Sequence, residues 1–123
     1  MIVGIGLDLV EVARIEKAGK IDRFYTRNFT AAEIALFDSK KPRAQTVAGN
    51  FAAKEAVLKS LGCGLFDMPL IDIEVLRKES GQPYAVLHGQ AKQIADDLRV
   101  SNIHLSITHT AQVAAAQAVA EKD

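Results

Sequence analysis

The segment with the strongest influence on the fold is a long amphipathic helix, predicted over residues 43–61. Pro42 suits its first turn, and Gly62 suits its C-terminal cap. Its apolar residues fall within one arc of about 100°, so this face of the helix packs against the core. The arc contains Val47, Ala48, Phe51 and Leu58. Glu55 falls inside the same arc, and a carboxylate is rarely buried unless it is paired or binds a metal.

The other segments alternate between strand and helix patterns. Strands are predicted at residues 2–7, 70–78, 84–88, 103–109 and 112–120. Shorter helices are predicted from Asp8 to about Ala18, and at 20–27, 31–38 and 90–98. The strand pattern at 112–120 is weak because the segment is rich in alanine. This order predicts an α+β fold with a mainly antiparallel sheet, one long helix and several short ones, in a single domain spanning residues 1–123.

Two short helices carry signals for their ends. Asp8 with Glu11, and Thr30 with Glu33, have the spacing of a capping box. In such a box the first side chain accepts a hydrogen bond from a backbone N–H that the helix leaves free. Gly19 is expected to end the first helix.

Composition excludes several classes of protein. The 15 basic and 15 acidic residues balance, which argues against nucleic-acid or membrane binding driven by overall charge. Cys63 is the only cysteine, so neither an intrachain disulfide nor a cysteine-rich zinc site can form. The N-terminal segment lacks a basic leader, and no apolar run is long enough to span a bilayer. These features predict a cytoplasmic protein.

Two acidic residues have both a structural and a functional interpretation. Glu55 can form an i, i+4 ion pair with Lys59, which adds only a few tenths of a kcal/mol when exposed. Asp8 can cap a helix, but Gly4 and Gly6 before it allow another backbone or a ligand to approach closely. Two carboxylates from separate elements are also the usual protein share of a Mg²⁺ site, which takes its other ligands from water and phosphate. A nearby lysine would suit phosphoryl transfer at such a site.

Three motifs together resemble the holo-acyl-carrier-protein synthases, which are small stand-alone 4′-phosphopantetheinyl transferases. The motifs are GIGLDLVEVARI at 4–15, FAAKEAVLKSLGCG at 51–64 and LSITHTAQVAAA at 105–116. ESGQPY at 79–84 adds to the likeness. The resemblance therefore spans essentially the whole chain, with its motifs in the family's order.

The resemblance implies an enzyme that moves the 4′-phosphopantetheine arm of coenzyme A onto a serine of apo-acyl-carrier protein and releases adenosine 3′,5′-bisphosphate. It implies that Asp8 and Glu55 are Mg²⁺ ligands and that Lys59 contacts the transferring phosphate, so these three are the candidate catalytic residues. The metal would bridge the two phosphates and neutralise the leaving group. Either Glu55 or a metal-bound water takes the serine proton, and the sequence leaves both open.

Further contacts to coenzyme A follow from the same resemblance. His109 and Thr110 are expected near its nucleotide, at or close to the 3′-phosphate. A purely structural role for His109 is the alternative. Gly62 is expected to join Lys59 at the coenzyme A site.

Position 50 departs from the family pattern. The family often has arginine in A-G-R-F, where this chain has Asn50. Asparagine cannot copy the bidentate phosphate contact of an arginine. Lys40, Lys41 or Arg43 is therefore expected to supply that contact, and the alternative is a solvated basic loop.

A basic segment at residues 14–27 is the expected docking surface for the carrier protein. It holds five basic residues against two acidic ones, and carrier proteins are typically acidic. By resemblance, Arg14, Lys20 and Arg23 would meet the carrier's charges, and Phe24 would anchor it through apolar contact. The alternative is a solvated amphipathic face.

The family is usually a homotrimer with active sites at subunit junctions. The small apolar strand at 112–120 suits close packing, either inside one subunit or between subunits. Two other functions remain open from the sequence: a different Mg²⁺-dependent phosphotransferase or hydrolase, and a non-catalytic scaffold that binds coenzyme A. Nothing in the sequence supports nucleic-acid binding, since aromatic residues make up only 6%.

Overall fold

The computed structural model describes residues 1–64 and 67–123. The strands are β1 (Ile2–Glu11), β2 (Ile73–Arg77), β3 (Pro83–Leu87), β4 (Asn102–His109) and β5 (Val113–Glu121). The helices are α1 (Val12–Ala18), α2 (Phe24–Asn28), α3 (Ala31–Ser39), α4 (Arg43–Ser60) and α5 (Gly89–Asp97), and a single 3₁₀ turn covers Leu70–Asp72. The predicted α+β architecture with antiparallel pairing is confirmed.

The strands form two sheets. One has three strands in the order β1-β5-β4, and the other is the β2–β3 hairpin. All pairs are antiparallel. The long helix α4 lies across the inner face of the three-stranded sheet and contacts β2 and α3 on another side. The alanine-rich segment is a central strand, and its inward residues are almost completely buried beneath the helix. These inward residues are Ala114, Ala116, Ala118 and Ala120.

Two glycines let α4 lie directly on β1. A Cβ atom at Gly6 would stand 1.8 Å from the carbonyl oxygen of Ala56, and one at Gly4 would stand 2.2 Å from that of Ser60. Real Cβ atoms do not come this close to a backbone oxygen. The prediction that these glycines admit a close backbone approach is therefore confirmed, and the approaching backbone is that of the helix.

The first strand is longer than predicted. β1 continues to Glu11 because its pairing with β5 persists through Asp8 opposite Ala116 and Glu11 opposite Val113. Helix α1 therefore begins four residues later than expected, and Glu11 at its N-cap makes no side-chain capping bond. The predicted capping box at Asp8 is wrong, because sheet hydrogen bonds to a distant strand take precedence over a local cap. Gly4, Gly6 and Asp8 consequently alternate onto the inner face of the sheet.

The other predicted helix ends agree more closely with the structure. Thr30 and Glu33 form the predicted capping box, with the Glu33 N–H 3.3 Å from Thr30 Oγ1 and the Thr30 N–H 3.1 Å from Glu33 Oε1. Gly19 follows α1 as expected. Gly62 lies just beyond α4 with φ +75°, a left-handed conformation that favours glycine. Helix α2 starts at Phe24 rather than at residue 20.

The buried surface of α4 is wider than one stripe. Val47, Ala48 and Leu58 are buried as predicted, but Asn50 and Lys54 are also completely buried, on the side that faces α3 and β2. The predicted arc was too narrow because the helix packs between two layers rather than onto one. Among the described residues, no helix combines the length and apolar character needed to cross a membrane.

Candidate active site

The close contact of β1 and α4 brings Asp8 and Glu55 together. Asp8 lies on the inner face of β1, where its side chain is 11% exposed. Glu55 lies on α4, one residue before Ala56, whose carbonyl oxygen meets Gly6. Asp8 lies close enough to Glu55 to raise the pKa of its carboxyl group. The two acids singled out in the sequence therefore form one site.

The proximity of these acids changes the protonation of Glu55. Burial raises its pKa to about 7, and the charge of Asp8 and a hydrogen bond with it act in the same direction. Lys59 and Arg14 oppose this shift by stabilising the ionised form. Asp8 Oδ2 is buried and has no hydrogen-bond donor in the described part of the chain. An orphaned carboxylate oxygen beside a second carboxyl group offers oxygen donors of the kind that a hard divalent cation binds.

Lys59 stands next to the acid pair. Its Nζ donates to the carbonyl oxygen of Leu7 at 2.9 Å and lies 3.4 Å from Asp8 Oδ1. In the described residues its ion pair therefore joins α4 to β1, and the i, i+4 pair with Glu55 considered from the sequence is not formed. Because 53% of the side chain stays exposed, the ammonium group is also accessible to an anionic substrate.

In the part of the chain that the structure describes, the acid pair has no third acidic, histidine or cysteine neighbour suited to hold a metal. No group of three or more such residues is found among residues 1–64 and 67–123. A small cavity of about 70 Å³ opens beside the pair and is lined by Glu55, Leu58, Lys59, Cys63 and Gly64. Of the two acids, Glu55 lines this cavity. A Mg²⁺ site with two protein carboxylates leaves several coordination positions for water or a phosphate.

His109 and Thr110 lie at a different place in the subunit. His109 ends β4 and pairs with Ala114 of β5, which pairs on its other side with Val10 of β1. Two strand spacings, about 10 Å, therefore separate His109 from β1. The Thr110 hydroxyl accepts backbone N–H groups of the β4–β5 turn, at 3.2 Å and 3.1 Å. A single chain does not bring these two residues to the acid pair.

The basic residues at the start of α4 are also distant from the acids. Arg43 and Lys59 lie 16 residues apart on one helix, which corresponds to about 24 Å. Arg43 pairs with Asp38 at 3.6 Å and lies over the Tyr25 ring at 5.2 Å. Lys41 is exposed just before this helix.

A hydrogen bond links this end of α4 to the turn that holds Thr110. It runs from Gln45 Nε2 to the carbonyl oxygen of Ala111 at 3.2 Å. Lys41, Arg43, His109 and Thr110 therefore share one end of the subunit, and this group is called the basic end below. Gly62 lies at the other end, two residues after α4, where an added Cβ would meet only open space.

Comparison with known proteins identifies the family to which a chain with this site belongs. A profile of the 4′-phosphopantetheinyl transferase superfamily matches residues 4–118. The chain belongs to this superfamily. A holo-acyl-carrier-protein synthase of Alkaliphilus oremlandii is 46% identical over 121 residues, which cover 98% of this chain and 99% of that relative. The corresponding protein of Clostridium perfringens strain SM101 is 42% identical over 98% of this chain and 95% of its own. The resemblance stated from the motifs is confirmed.

Solved structures agree with the sequence relatives. The holo-acyl-carrier-protein synthase of Plasmodium yoelii superimposes with a TM-score of 0.87 at 34% identity and covers 100% of this chain and 97% of its own. The Helicobacter pylori synthase, solved in complex with coenzyme A, has a TM-score of 0.83 at 32% identity over 95% of this chain and 99% of its own. The chain is thus an enzyme of the phosphopantetheinyl transferase type.

The position where this superfamily member lacks an arginine is internal. Asn50 is completely buried, and its Nδ2 donates to Val75 O at 2.8 Å and to Glu33 Oε2 at 3.2 Å. Its Oδ1 accepts from Arg77 Nη2 at 2.8 Å. The side chain therefore points into the core, and the expectation that Lys40, Lys41 or Arg43 supplies the arginine's phosphate contact stays a prediction.

Sequence reasoning also missed Lys54. Its ammonium group is completely buried and pairs with Glu33 Oε1 at 2.7 Å. The sequence offered one weak signal, since Asn50 and Lys54 are polar residues one turn apart in a helix that is otherwise rich in alanine. Periodicity assigns such residues to solvent, so a buried ion pair was not expected.

One of the expected docking residues, Phe24, lines an apolar cavity. Arg14, Lys20 and Arg23 are exposed, and Phe24 is half-buried with its ring 6.2 Å from that of Phe51. The cavity between α2 and the segment before β2 has a volume of about 690 Å³. Its lining includes Phe24, Arg27, Phe51, Met68, Pro69 and Leu70. We call it the Phe24–Phe51 cavity.

The outer face of the three-stranded sheet carries exposed apolar residues. On β1, Ile5 is 64% exposed, Leu7 is 67% exposed and Leu9 is 71% exposed. Val119 and Ala115 lie opposite Ile5 and Leu9 on β5. Exposed Gln117 lies between them, opposite Leu7. A patch of exposed apolar residues of this kind is typical of a protein–protein contact.

Proposed function

We propose that this protein transfers the 4′-phosphopantetheine group from coenzyme A to a serine of apo-acyl-carrier protein, with Mg²⁺, and releases adenosine 3′,5′-bisphosphate. The observation that carries the proposal is the acid pair Asp8–Glu55 with Lys59 beside it. The full-length similarity to holo-acyl-carrier-protein synthases supports the same reaction. No membrane component is needed.

Asp8 and Glu55 fit a Mg²⁺ ion, because the buried Asp8 Oδ2 lacks a donor among the described residues and faces a second carboxyl group. When bound, the ion supplies neutralisation of the charge that develops on the pyrophosphate. Lys59 holds the transferring phosphate through its exposed ammonium group. Once ionised, Glu55 is the group on this chain that can accept the serine proton, and a water on the metal is the other candidate.

The carrier protein is proposed to dock on α1, α2 and the Phe24–Phe51 cavity. Arg14, Lys20 and Arg23 present positive charge on the exposed side of this surface. Arg14 also lies close enough to the acid pair to lower the pKa of Glu55, so the docking surface and the reactive site adjoin. An acidic carrier would be attracted by the charges and held by an apolar side chain in the cavity. Carrier affinity is therefore expected to fall as salt rises.

The active enzyme is proposed to be a homotrimer. The apolar outer face of β1 and β5 supplies a surface for contact between subunits. The separation of the basic end from the acid pair supports a site shared between neighbours. In this arrangement coenzyme A meets Asp8, Glu55, Lys59 and Gly62 of one subunit. His109, Thr110, Lys41 and Arg43 come from the next.

A mass measurement tests the reaction. The protein is mixed with coenzyme A, Mg²⁺ and an apo-carrier protein, and the carrier is expected to gain one phosphopantetheine. Glu55→Gln and Asp8→Asn should each lose at least about 100-fold in rate without unfolding, since each removes a charge from the metal site. Asp96→Asn is the matched control, because Asp96 pairs with Lys92 on the exposed side of α5. Hydrolysis of coenzyme A without any carrier would instead indicate a different phosphotransferase or hydrolase.

Sedimentation at micromolar concentration tests the assembly. The parent protein should sediment as a trimer, and Leu7→Asp should sediment as a monomer that has lost transfer activity. Leu98→Asp is the control, since Leu98 is also exposed but lies after α5, outside the sheet face. A parent protein that is monomeric and active would contradict the shared site.

A further inference from the structure

The ion pair of Lys54 and Glu33 is buried and fully hydrogen-bonded, yet the proposed chemistry does not use it. Both side chains are fully buried. The three N–H bonds of Lys54 go to Glu33 Oε1 at 2.7 Å, to Leu70 O at 3.2 Å and to Ile73 O. The ammonium group thereby ties α4 to the segment that leads into β2.

Glu33 is equally well satisfied. Its two oxygens accept from Thr30 N at 3.1 Å and from Asn50 Nδ2 and Val75 N, both at 3.2 Å, in addition to Lys54. Every lone-pair direction of the carboxylate is used. The pair therefore joins α3, α4 and β2 at one point.

Stability alone is a weak reason for such a pair. Burial raises the pKa of Glu33 and lowers the pKa of Lys54. The charge of each residue partly reverses the shift of its partner. Taking two charges out of water costs roughly as much as their attraction returns, and apolar residues of similar volume often stabilise a core equally well. What the pair adds is fixed geometry, because each bond has a required direction.

The geometry that it fixes belongs to the Phe24–Phe51 cavity. Leu70, whose carbonyl oxygen accepts from Lys54, lines that cavity together with Met68. On the helix, Phe51 faces the same cavity and lies one turn before Glu55. Lys54 thus links the helix that carries Phe51 to the segment that carries Met68 and Leu70.

We propose that Lys54, held by Glu33, is a positioning residue that fixes the segment 68–73 against α4 and so shapes the Phe24–Phe51 cavity for the carrier protein. This inference rests on the proposed function. The acid pair is positioned independently, through the contacts of Gly4 and Gly6 with α4. Loss of the ion pair therefore weakens carrier binding and leaves coenzyme A and metal binding intact.

The test uses a paired replacement, because Lys54→Met alone would leave the Glu33 carboxylate buried without its cation. Glu33→Gln made together with Lys54→Met removes both charges at once, so neither partner is left buried and uncompensated. Lys92→Met is the control for loss of a lysine from an exposed ion pair. The measurements are thermal unfolding, KM for the carrier, KM for coenzyme A, kcat, and the Kd of apo-carrier protein without coenzyme A.

We expect the paired variant to stay folded, with KM and Kd for the carrier raised about tenfold and KM for coenzyme A within about twofold of the parent. Two outcomes overturn the proposal. One is a folded variant with unchanged carrier affinity, and the other is unfolding or an equal loss toward both substrates, which indicates a structural role only. Absence of transfer by the parent protein is a separate result that would contradict the proposed function, and carrier binding without coenzyme A still decides the role of Lys54.

Discussion

The two sides of helix α4 hold buried acids in opposite ways. Toward α3 and β2, Glu33 has a donor for every oxygen and a lysine for its charge. Toward β1, Asp8 and Glu55 share a site with an orphaned oxygen, and burial together with the charge of Asp8 raises the pKa of Glu55. The satisfied side determines geometry, whereas the unsatisfied side is ready to bind a cation. Neighbouring positions 54 and 55 project about 100° apart, so one helix turn carries both roles.

The largest difference between the two sides should appear when one partner is removed. Lys54→Ala leaves Glu33 buried and unpaired, and we expect a loss of about 3–5 kcal/mol in the free energy of unfolding. Glu55→Ala, the matched change at the next position, should cost less than about 1 kcal/mol because it removes repulsion from Asp8. Urea unfolding of both variants measures the difference. Equal losses would show that the two sides do not differ.

The contact between Gly6 and the backbone of α4, which brings Asp8 and Glu55 together, should be disturbed by one added methyl group. Gly6→Ala places a methyl group 1.8 Å from the Ala56 carbonyl oxygen, so α4 must shift. We expect a loss of about 1–3 kcal/mol in stability, together with a larger loss of Mg²⁺-dependent transfer. Gly64→Ala is the control, since its Cβ would meet Asp67 at an ordinary 3.5 Å. A variant at position 6 with parent stability would show that the contact is loose.

Removing one acid from the pair should stabilise the protein when no metal is present. The raised pKa of Glu55, about 7, means that ionising it costs folding energy, so stability falls as pH rises from about 4.5 to 7. Asp8→Asn should therefore raise the free energy of unfolding at pH 8 by about 1 kcal/mol. The expected gain is small because Glu55 is partly exposed, and solvent screens its interaction with Asp8. Thermal scans at pH 8 and pH 4 test this prediction. Mg²⁺ should raise the Tm of the parent protein at pH 8 and have little effect on the variant.

The smallest expected effect has opposite signs for stability and for binding. Arg23 has φ +66°, a left-handed conformation that glycine adopts more easily. Arg23→Gly should therefore raise stability by up to about 1 kcal/mol while weakening carrier affinity a few-fold through loss of the charge. The control is Arg99→Gly, which relieves a similar φ of 61° away from the docking surface. Calorimetric unfolding measures the change in stability, and titration with the carrier measures the change in affinity. Unchanged carrier affinity in Arg23→Gly would show that Arg23 is not part of the docking surface.

The sequence predicted the parts of the site that depend on local pattern and motif. Asp8 and Glu55 were paired correctly because glycines before Asp8 signalled a close contact and the family motifs supported it. Lys59 was placed near the acids, although its partner is Asp8 rather than Glu55. The α4 boundaries followed from Pro42 and Gly62 to within one residue.

The misses involve contacts between segments distant in sequence. Asp8 has the local spacing of a helix cap, but pairing with β5 more than 100 residues away keeps it in a strand. Lys54 has the composition of a solvent-facing residue, and only the position of Glu33 on another helix makes its burial possible. Where His109 lies relative to Asp8 depends on the order of strands in the sheet, which residue patterns do not encode.

The spacing of the two acids Asp8 and Glu55 has an unusual origin. It is set by atoms that are missing, since Gly4 and Gly6 allow the helix backbone to rest on the strand backbone with no side chain between them. Where side chains separate a helix from a strand, mutation can change the distance between the two backbones in small steps. Here the backbones are in direct contact, so this distance has a single permitted value. Evolution can therefore adjust the reactivity of this site through the charges around it, but not through the distance between its two backbones.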